Sequence, residues 1–311
     1  MILKRKTLLE EAEKENIETP MSENPSGFQV ILREFAKDRL ATISFFALVA
    51  VLIFIFVFAA TINLEDLNTV NITMKYHRPS FTRIWDIFGR DAGGRSIFGL
   101  LIVGARNSIY IGFLITLITT VIGVIVGLIM GYYGSIVDSI LLAIIDFIGI
   151  LPTMLIIIAL VSLVPKFTAM KFVLILSAFR WTGTARLVRS KALSESRRDY
   201  VSASKTMGTR DLKIMLGGVL PNISSIIIVD TTLALAGNIG IETSLSFLGF
   251  GLPTSVPSIG TLIAYASKPE IIQDKAFVWL PATIFILFMM LTINYIGQAL
   301  RRASDAKQRL G

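Results

Sequence analysis

Glu195-Ser196-Arg197-Arg198-Asp199-Tyr200-Val201-Ser202-Ala203-Ser204-Lys205-Thr206-Met207-Gly208, running on to Leu220-Pro221-Asn222, is a polar, charged insert between two apolar spans. Glu195 to Met207 contains no Gly or Pro, and Tyr200, Ala203 and Met207 recur at helical spacing, so a helix is predicted there. Gly208 suits a left-handed cap after it. Thr209 is then placed to cap a second helix, with Asp211 in its first turn where the helix dipole favours negative charge. Pro221 marks the restart into the next span. A helix–Gly–helix knuckle of this kind, projecting from a membrane, is a docking element for a soluble partner. An ordinary loop held by its caps fits the same residues, and local physics leaves both readings open.

The flanks of the insert set the fold class. Hydrophobic residues make up 53% of the 311 positions and charged residues 17%, with a mean hydropathy of +0.70. Such a chain is an all-α, polytopic membrane protein rather than a soluble domain. A spanning helix needs roughly 20 apolar residues, and the runs predict about six: Thr42–Ile62, Ser108–Tyr132, Ile136–Val164, a short, interrupted Phe172–Leu187, Ile223–Phe250 and Phe277–Leu300. The absence of Cys excludes disulfides and thiolate chemistry, and the single His77 cannot anchor a His-cluster metal site.

The net charge of +8 resembles a nucleic-acid signal until it is mapped onto topology. With a cytoplasmic N-terminus, seven basic residues lie in the N-terminal tail, nine between 180 and 222 and four in the C-terminal tail, leaving ten of the thirty for the opposite loops. Positive-inside bias therefore explains the charge with the lipid bilayer as partner and no nucleic acid. The chain then divides into a cytoplasmic tail (1–41), a first transmembrane helix (42–62) acting as uncleaved signal anchor, an extracytoplasmic segment (63–107), a five-helix core (108–300) containing the polar loop 190–222, and a cytoplasmic tail (301–311). Within the first tail, Leu8 to Glu18 reads as a solvated helix and Phe28–Phe35 as an amphipathic lead into span one.

Phe88-Gly89-Arg90-Asp91-Ala92-Gly93-Gly94-Arg95-Ser96 reads as a tight loop whose charges pair locally. It lacks the Gly-Lys-Ser/Thr ending of a phosphate-binding loop, as does the rest of the chain. Gly123, Gly127 and Gly131 form a four-residue ridge for close helix packing, with a hinge or pore-facing groove as the alternative. Pro152 predicts a kink in span three. Asp146, Asp230 and Glu242 fall inside spans, where a carboxylate costs about 2.5–3.5 kcal/mol on insertion scales and so faces protein or water. Ion pairs with Arg180 and Arg186, or with a partner subunit, are the structural reading; a proton or cation relay is the functional one. Ser244 to Pro253 and Pro257-Ser258-Ile259-Gly260 carry the Gly and Pro punctuation of a re-entrant or outer-surface turn.

Several ordered motifs point beyond fold class. Phe88-Gly89-Arg90-Asp91 with Gly94-Arg95-Ser96 precedes Gly104-Ala105-Arg106-Asn107-Ser108; Gly123, Gly127, Gly131-Tyr132, Asp138, Asp146 and Pro152 follow. Next come Ala185-Arg186-Leu187-Val188-Arg189, Asp199-Tyr200-Val201-Ser202-Ala203-Ser204, Gly208 and Leu220-Pro221-Asn222. Glu242 to Gly251 and Pro257 to Gly260 close the series. Over about residues 80–305 this resembles the membrane subunits of binding-protein-dependent ABC importers, specifically the C-type permease of oligopeptide/dipeptide transporters. Three departures stand out: Ser202-Ala203-Ser204 in place of Glu-Ala-Ala, Gly217-Gly218 in place of bulkier residues, and Ala143 where many members carry Arg.

The resemblance implies a type I ABC importer permease fold in the bacterial plasma membrane, with both termini cytoplasmic. It implies a translocation subunit without covalent chemistry, moving oligopeptides or dipeptides by alternating access. The implied partners are a homologous second permease, two cytoplasmic ABC ATPases that hold ATP and Mg, and an extracytoplasmic peptide-binding protein; the chain itself holds no cofactor. Asp199, Tyr200, Ala203, Gly208, Leu212, Leu220 and Pro221 are then the ATPase-docking residues. Another solute (nickel or a glycan) is the alternative within the family; an ion-coupled secondary transporter using the embedded acids, or a scaffold or sensor without a conducted substrate, lies outside it.

Overall fold

The computed structural model describes residues 27–164, 168–253 and 256–310, and the side chains of all but 27–31 and 306–310 among these. The predicted helix from Leu8 to Glu18 lies outside them. The all-helical expectation holds. A first helix, α1 (Gly27–Lys37), turns at Asp38, whose carboxylate caps the next helix by accepting from the Ala41 amide, into α2 (Arg39–Thr61). A short α3 (Leu64–Asn68) and an irregular segment lead to α4 (Ile97–Tyr133). Then come α5 (Ser135–Ile150), α6 (Thr153–Leu163) and α7 (Ala169–Glu195).

The elbow follows as α8 (Asp199–Thr206) and α9 (Asp211–Ile214), which passes through a π-helical turn, Met215–Val219, into α10 (Leu220–Phe247). Short helices α11 (Ile259–Ile263) and α12 (Pro269–Asp274) precede the long α13 (Leu280–Leu310).

Among the described residues, four stretches are long and apolar enough to cross a membrane: Arg39–Thr61, Ile97–Tyr133, Asp211–Phe247 and Leu280–Asp305. The predicted third span is α5 plus α6, a fifth crossing if the pair is one span, but bent by 78° at Leu151-Pro152. Proline has no amide proton and disfavours a helical conformation in the residue before it, so the chain breaks instead of kinking. The fourth expected span is neither short nor interrupted. α7 is one helix of 27 residues, about 40 Å at 1.5 Å per residue. Its charges (Lys171, Arg180, Arg186, Arg189), not its length, take it out of the apolar class. Helix α4 begins well before Ser108, because the Ser96 hydroxyl caps it by accepting from the Gly99 amide. Apolar runs mark where a helix is greasy, and caps mark where it starts.

α4 is the central post. Gly123, Gly127 and Gly131 lie against α7: a Cβ at Gly127 would stand 2.5 Å from the Ala185 carbonyl oxygen, and one at Gly131 2.6 Å from the Ala192 Cβ. On its other sides α4 packs with α2, α10, α11 and α13 around Leu101, Ile102, Ile239, Ile259 and Met289.

At the end away from the elbow, the Gly/Arg/Asp loop is organised by Asp91, which is fully buried. Its carboxylate accepts from the Gly93 and Arg95 amides, from Arg95 Nε and Nη2 (2.9 and 2.7 Å), and from Tyr265 Oη at 2.8 Å. Arg90 pairs with Asp86 at 2.7 Å, so both arginines pair within the loop. Sequence proximity could not supply Tyr265, which arrives from beyond α11; burial and the Asp91 charge push its phenol up to about 12. Asp91→Ala removes the acceptor for five donors and leaves the partly buried Arg95 unpaired. Breaking such a pair costs about 3–5 kcal/mol. Limited proteolysis of the 63–96 segment is expected to accelerate sharply in this variant and little in Tyr265→Phe, which removes one neutral partner.

Candidate functional site

The elbow is built outward from the ends of α4 and α7. α7 ends at Glu195, and the predicted helix Glu195–Met207 is broken at Ser196–Arg198, where Arg198 is extended (φ −74°, ψ 153°). Tertiary contacts make that break. The Ser196 hydroxyl donates to the Gly131 carbonyl at 3.1 Å, pinning the turn to the last turn of α4. Glu195 is buried (8% exposed) and gathers the two arms. Its Oε1 accepts from Tyr200 Oη at 3.2 Å and Asn222 Nδ2 at 3.0 Å, and Oε2 pairs with Arg198 Nε at 3.0 Å. Asn222 also donates to Tyr200 Oη at 3.2 Å. Burial, followed by the nearby Glu195 charge, pushes the Tyr200 phenol up.

A second tie comes from Tyr132 at the end of α4. Its hydroxyl donates to Asp211 Oδ1 at 2.6 Å, and Lys205 Nζ lies 4.4 Å from its ring centroid. One aromatic side chain thus holds α9 through a hydrogen bond and α8 through a cation–π contact. Beneath both, Val188, Ala192, Val201, Ile214, Met215 and Val219 form a buried apolar base.

α8 closes on Gly208, which adopts φ +78°, and the Thr209 amide donates to the Ser204 carbonyl at 3.0 Å. This is the glycine-dependent helix stop anticipated from the sequence. The anticipated Thr209 cap is not formed: Arg210 occupies the N-cap of α9 without a side-chain bond. Thr209 is taken up in closing α8. Nor does the chain restart at Pro221. The helix runs unbroken from Asp211 to Phe247, widened at Gly217-Gly218, where the Leu220 amide reaches back to the Met215 carbonyl. A π turn spreads the ladder by one residue, just ahead of a proline with no amide to donate. Gly218 has a further reason: a Cβ there would sit 3.1 Å from Tyr200 Cε2.

The predicted docking residues separate by role. Asp199 begins α8, and Tyr200 and Leu220 pack into the base. Ala203, Gly208, Leu212 and Pro221 are exposed. The outer edge is apolar, with Met207 77%, Leu212 62% and Leu216 52% exposed. Glu195, Asn222 and Tyr132 stand in the quoted motifs, but the sequence reading gave them no role. The one available signal was the placement of polar groups at the very ends of apolar helices.

The embedded charges separate too. Asp146 pairs with Arg186 at 2.7 Å, and Asp138 with Arg189, both between α5 and α7. Asp230 has no cation among the described residues; its Oδ2 accepts from the Thr184 hydroxyl at 2.8 Å. Arg180 has no carboxylate among the described residues and donates from Nε to Asn238 Oδ1 at 3.0 Å. Glu242 is fully buried. It is held by hydroxyls, Ser246 at 2.7 Å with Thr243 and Ser108. Ser108 also accepts from the Ile259 amide, and Asn107 Nδ2 donates to the Pro257 carbonyl at 2.9 Å. Three motifs far apart in sequence thus meet in one buried knot around Glu242. No hydrogen bond among the described residues joins any two of Asp146, Asp230 and Glu242, as a proton relay would need.

Residues 123–310 match the family model described as "Binding-protein-dependent transport system inner membrane component". The chain is 46% identical over 278 residues to the oligopeptide transport system permease protein OppC of Lactococcus lactis subsp. cremoris (strain SK11), covering 89% of this chain and 94% of the relative. It is 33% identical over 277 residues to OppC of Bacillus subtilis (strain 168), covering 88% of each. With the dipeptide transport system permease protein DppC of the same organism it shares 32% over 280 residues, 89% of this chain and 85% of the relative.

Proposed function

Because the chain belongs to the binding-protein-dependent transport system inner membrane components, among the OppC-type permease subunits, we propose that it is a transmembrane subunit of an ATP-driven ABC importer carrying oligopeptides across the bacterial plasma membrane. It works beside a homologous second permease. An extracytoplasmic binding protein delivers the peptide, and two cytoplasmic ATPases hold ATP and Mg. The elbow faces the cytoplasm, as the clustering of basic residues between 180 and 222 supports.

The observation that carries the reading is the elbow itself: an exposed apolar edge (Met207, Leu212, Leu216) on a braced base. An ATPase surface that moves on nucleotide binding needs a rigid handle. Tyr132, Ser196 and Glu195 bind this handle to α4, α7 and α10 together. Closure of the ATPases displaces the elbow, α7 and α10 carry the displacement into the membrane, and access alternates between the two sides.

The test is uptake of labelled oligopeptides into proteoliposomes containing the whole complex. Uptake that requires ATP and the ATPase subunits is expected; uptake driven by an ion gradient alone would overturn the reading. Gly208→Val tests the docking role. Nothing lies within 4 Å of a Cβ at Gly208, so the variant meets no clash, but it must hold a left-handed conformation costing about 1–2 kcal/mol. Insertion should survive while uptake and peptide-stimulated ATP hydrolysis fall together. Wild-type stimulation in Gly208→Val would remove the docking assignment.

A further inference from the structure

Arg180 sits near the middle of α7, at a depth where a charged side chain is costly unless it faces protein, water or a counter-charge. Its Nε is fixed: it donates to Asn238 Oδ1 at 3.0 Å, the Asn238 amide donates to Thr116 Oγ1 at 2.9 Å, and Thr116 donates to the Gly112 carbonyl at 2.7 Å. Asn238 and Thr116 are both buried. This chain aims the guanidinium but uses only one of its nitrogens. Neither terminal nitrogen makes a hydrogen bond among the described residues, and none of the acids of α5 and α10 reaches it: Asp146 pairs with Arg186, Asp138 with Arg189, and Asp230 accepts from the Thr184 hydroxyl.

The surroundings are open. Gly237 lies under the guanidinium, with Arg180 Nη2 3.7 Å from its would-be Cβ. Gly183, one turn along α7 from Arg180, has no atom within 4 Å of that position and is exposed. A mid-helix glycine with nothing packed on it is unfavourable relative to alanine, and here it leaves a gap beside an aimed cation. An oriented arginine fork with two free ends is the side chain best matched to a carboxylate.

We propose that Arg180, aimed by Asn238 and Thr116, is a contact for the main-chain carboxylate of the peptide as it crosses. This rests on the peptide-importer reading above. Every oligopeptide carries that carboxylate, whatever its side chains, so one fixed cation can serve a mixed cargo. With no side chain on Gly237 beneath the fork and nothing packed on Gly183, the approach to the guanidinium is left clear at both positions. The contact must release as well as capture, and a single half-solvated arginine is suited to both.

The test compares uptake of one neutral-side-chain peptide as free acid and as C-terminal amide, by the intact complex in proteoliposomes, for wild type, Arg180→Gln and Arg180→Lys. Each ratio is normalised to wild type with the same binding protein, which cancels any preference of that protein. Arg180→Gln is expected to lower free-acid uptake about tenfold and to leave amide uptake unchanged, with Arg180→Lys intermediate. Equal loss of both peptides, or loss of neither, would overturn the proposal. Failure of Arg180→Gln to co-purify with the second permease would overturn it too, assigning the fork to an inter-subunit pair. A wild-type complex that moves neither peptide would remove the peptide reading itself, and this proposal with it.

Discussion

Replacing Glu195 with alanine is expected to uncouple the transporter: peptide uptake falls by about tenfold or more, while the chain still inserts and still holds its helices. Glu195 is a buried acceptor on which α8 and α10 converge, through Tyr200 Oη at 3.2 Å and Asn222 Nδ2 at 3.0 Å. Removing it takes the acceptor from the half-buried Tyr200 hydroxyl and from the exposed Asn222 amide, each hydrogen bond being worth roughly 0.5–1.5 kcal/mol net. The ion pair with Arg198 adds little, because the Arg198 side chain is 67% exposed and well screened. The acceptor therefore matters more than the charge. Glu195→Gln keeps an oxygen for Tyr200 and Asn222, and should retain most of the uptake. Protease nicking at Lys205 or Arg210, measured beside uptake, reports whether the elbow has come loose. If Glu195→Gln is as defective as Glu195→Ala, the hub works by charge and this account of it is wrong.

That hub also marks where sequence reasoning reaches its limit. The membrane class was legible because apolar runs must be buried or greased wherever they lie. Gly208 was legible because a positive φ leaves few residue choices, and the Asp91–Arg95 pair because its members are four residues apart. Each is a local fact. The break at Ser196–Arg198 carries no Gly or Pro; it exists because Ser196 finds the Gly131 carbonyl and Glu195 finds Asn222. Gly217-Gly218 looks, by propensity alone, like the end of a helix. The π turn keeps the helix running, and the missing side chain of Gly218 makes room for the Tyr200 ring. The embedded acids show the same division. Their cost in lipid predicts that each has a partner, and Asp146 has the expected arginine. Which hydroxyl answers Asp230 or Glu242 depends on how α4, α7 and α10 lie together, and no spacing along the chain encodes that.

The second large effect falls on the ridge that seats the elbow. A Cβ at Gly131 would stand 2.6 Å from Ala192 Cβ, 2.7 Å from the Arg189 carbonyl oxygen and 2.7 Å from the Leu193 amide nitrogen. Two of those three atoms are backbone, so no side-chain rotation relieves the overlap and α7 must move off α4. Gly131→Ala is expected to destabilise the chain by about 1–3 kcal/mol, the usual cost of overpacking, and Gly131→Val by more, with a lowered Tm in detergent and loss of uptake. The control is Gly183→Ala on α7. With nothing within 4 Å of the new methyl and a gain of about 0.8–1.0 kcal/mol in helix propensity, it should melt at or above the wild-type temperature. The two substitutions are chemically identical and sit on paired helices, so opposite signs isolate contact geometry from propensity. Loss of uptake should track Gly131 in particular, because the carbonyl that receives the Ser196 hydroxyl belongs to that residue. Moving α7 off the ridge therefore releases the elbow at the point where it is pinned. A Gly131→Val chain that melts and transports like wild type would show that α4 and α7 are not held together there, and the elbow would have lost its seat.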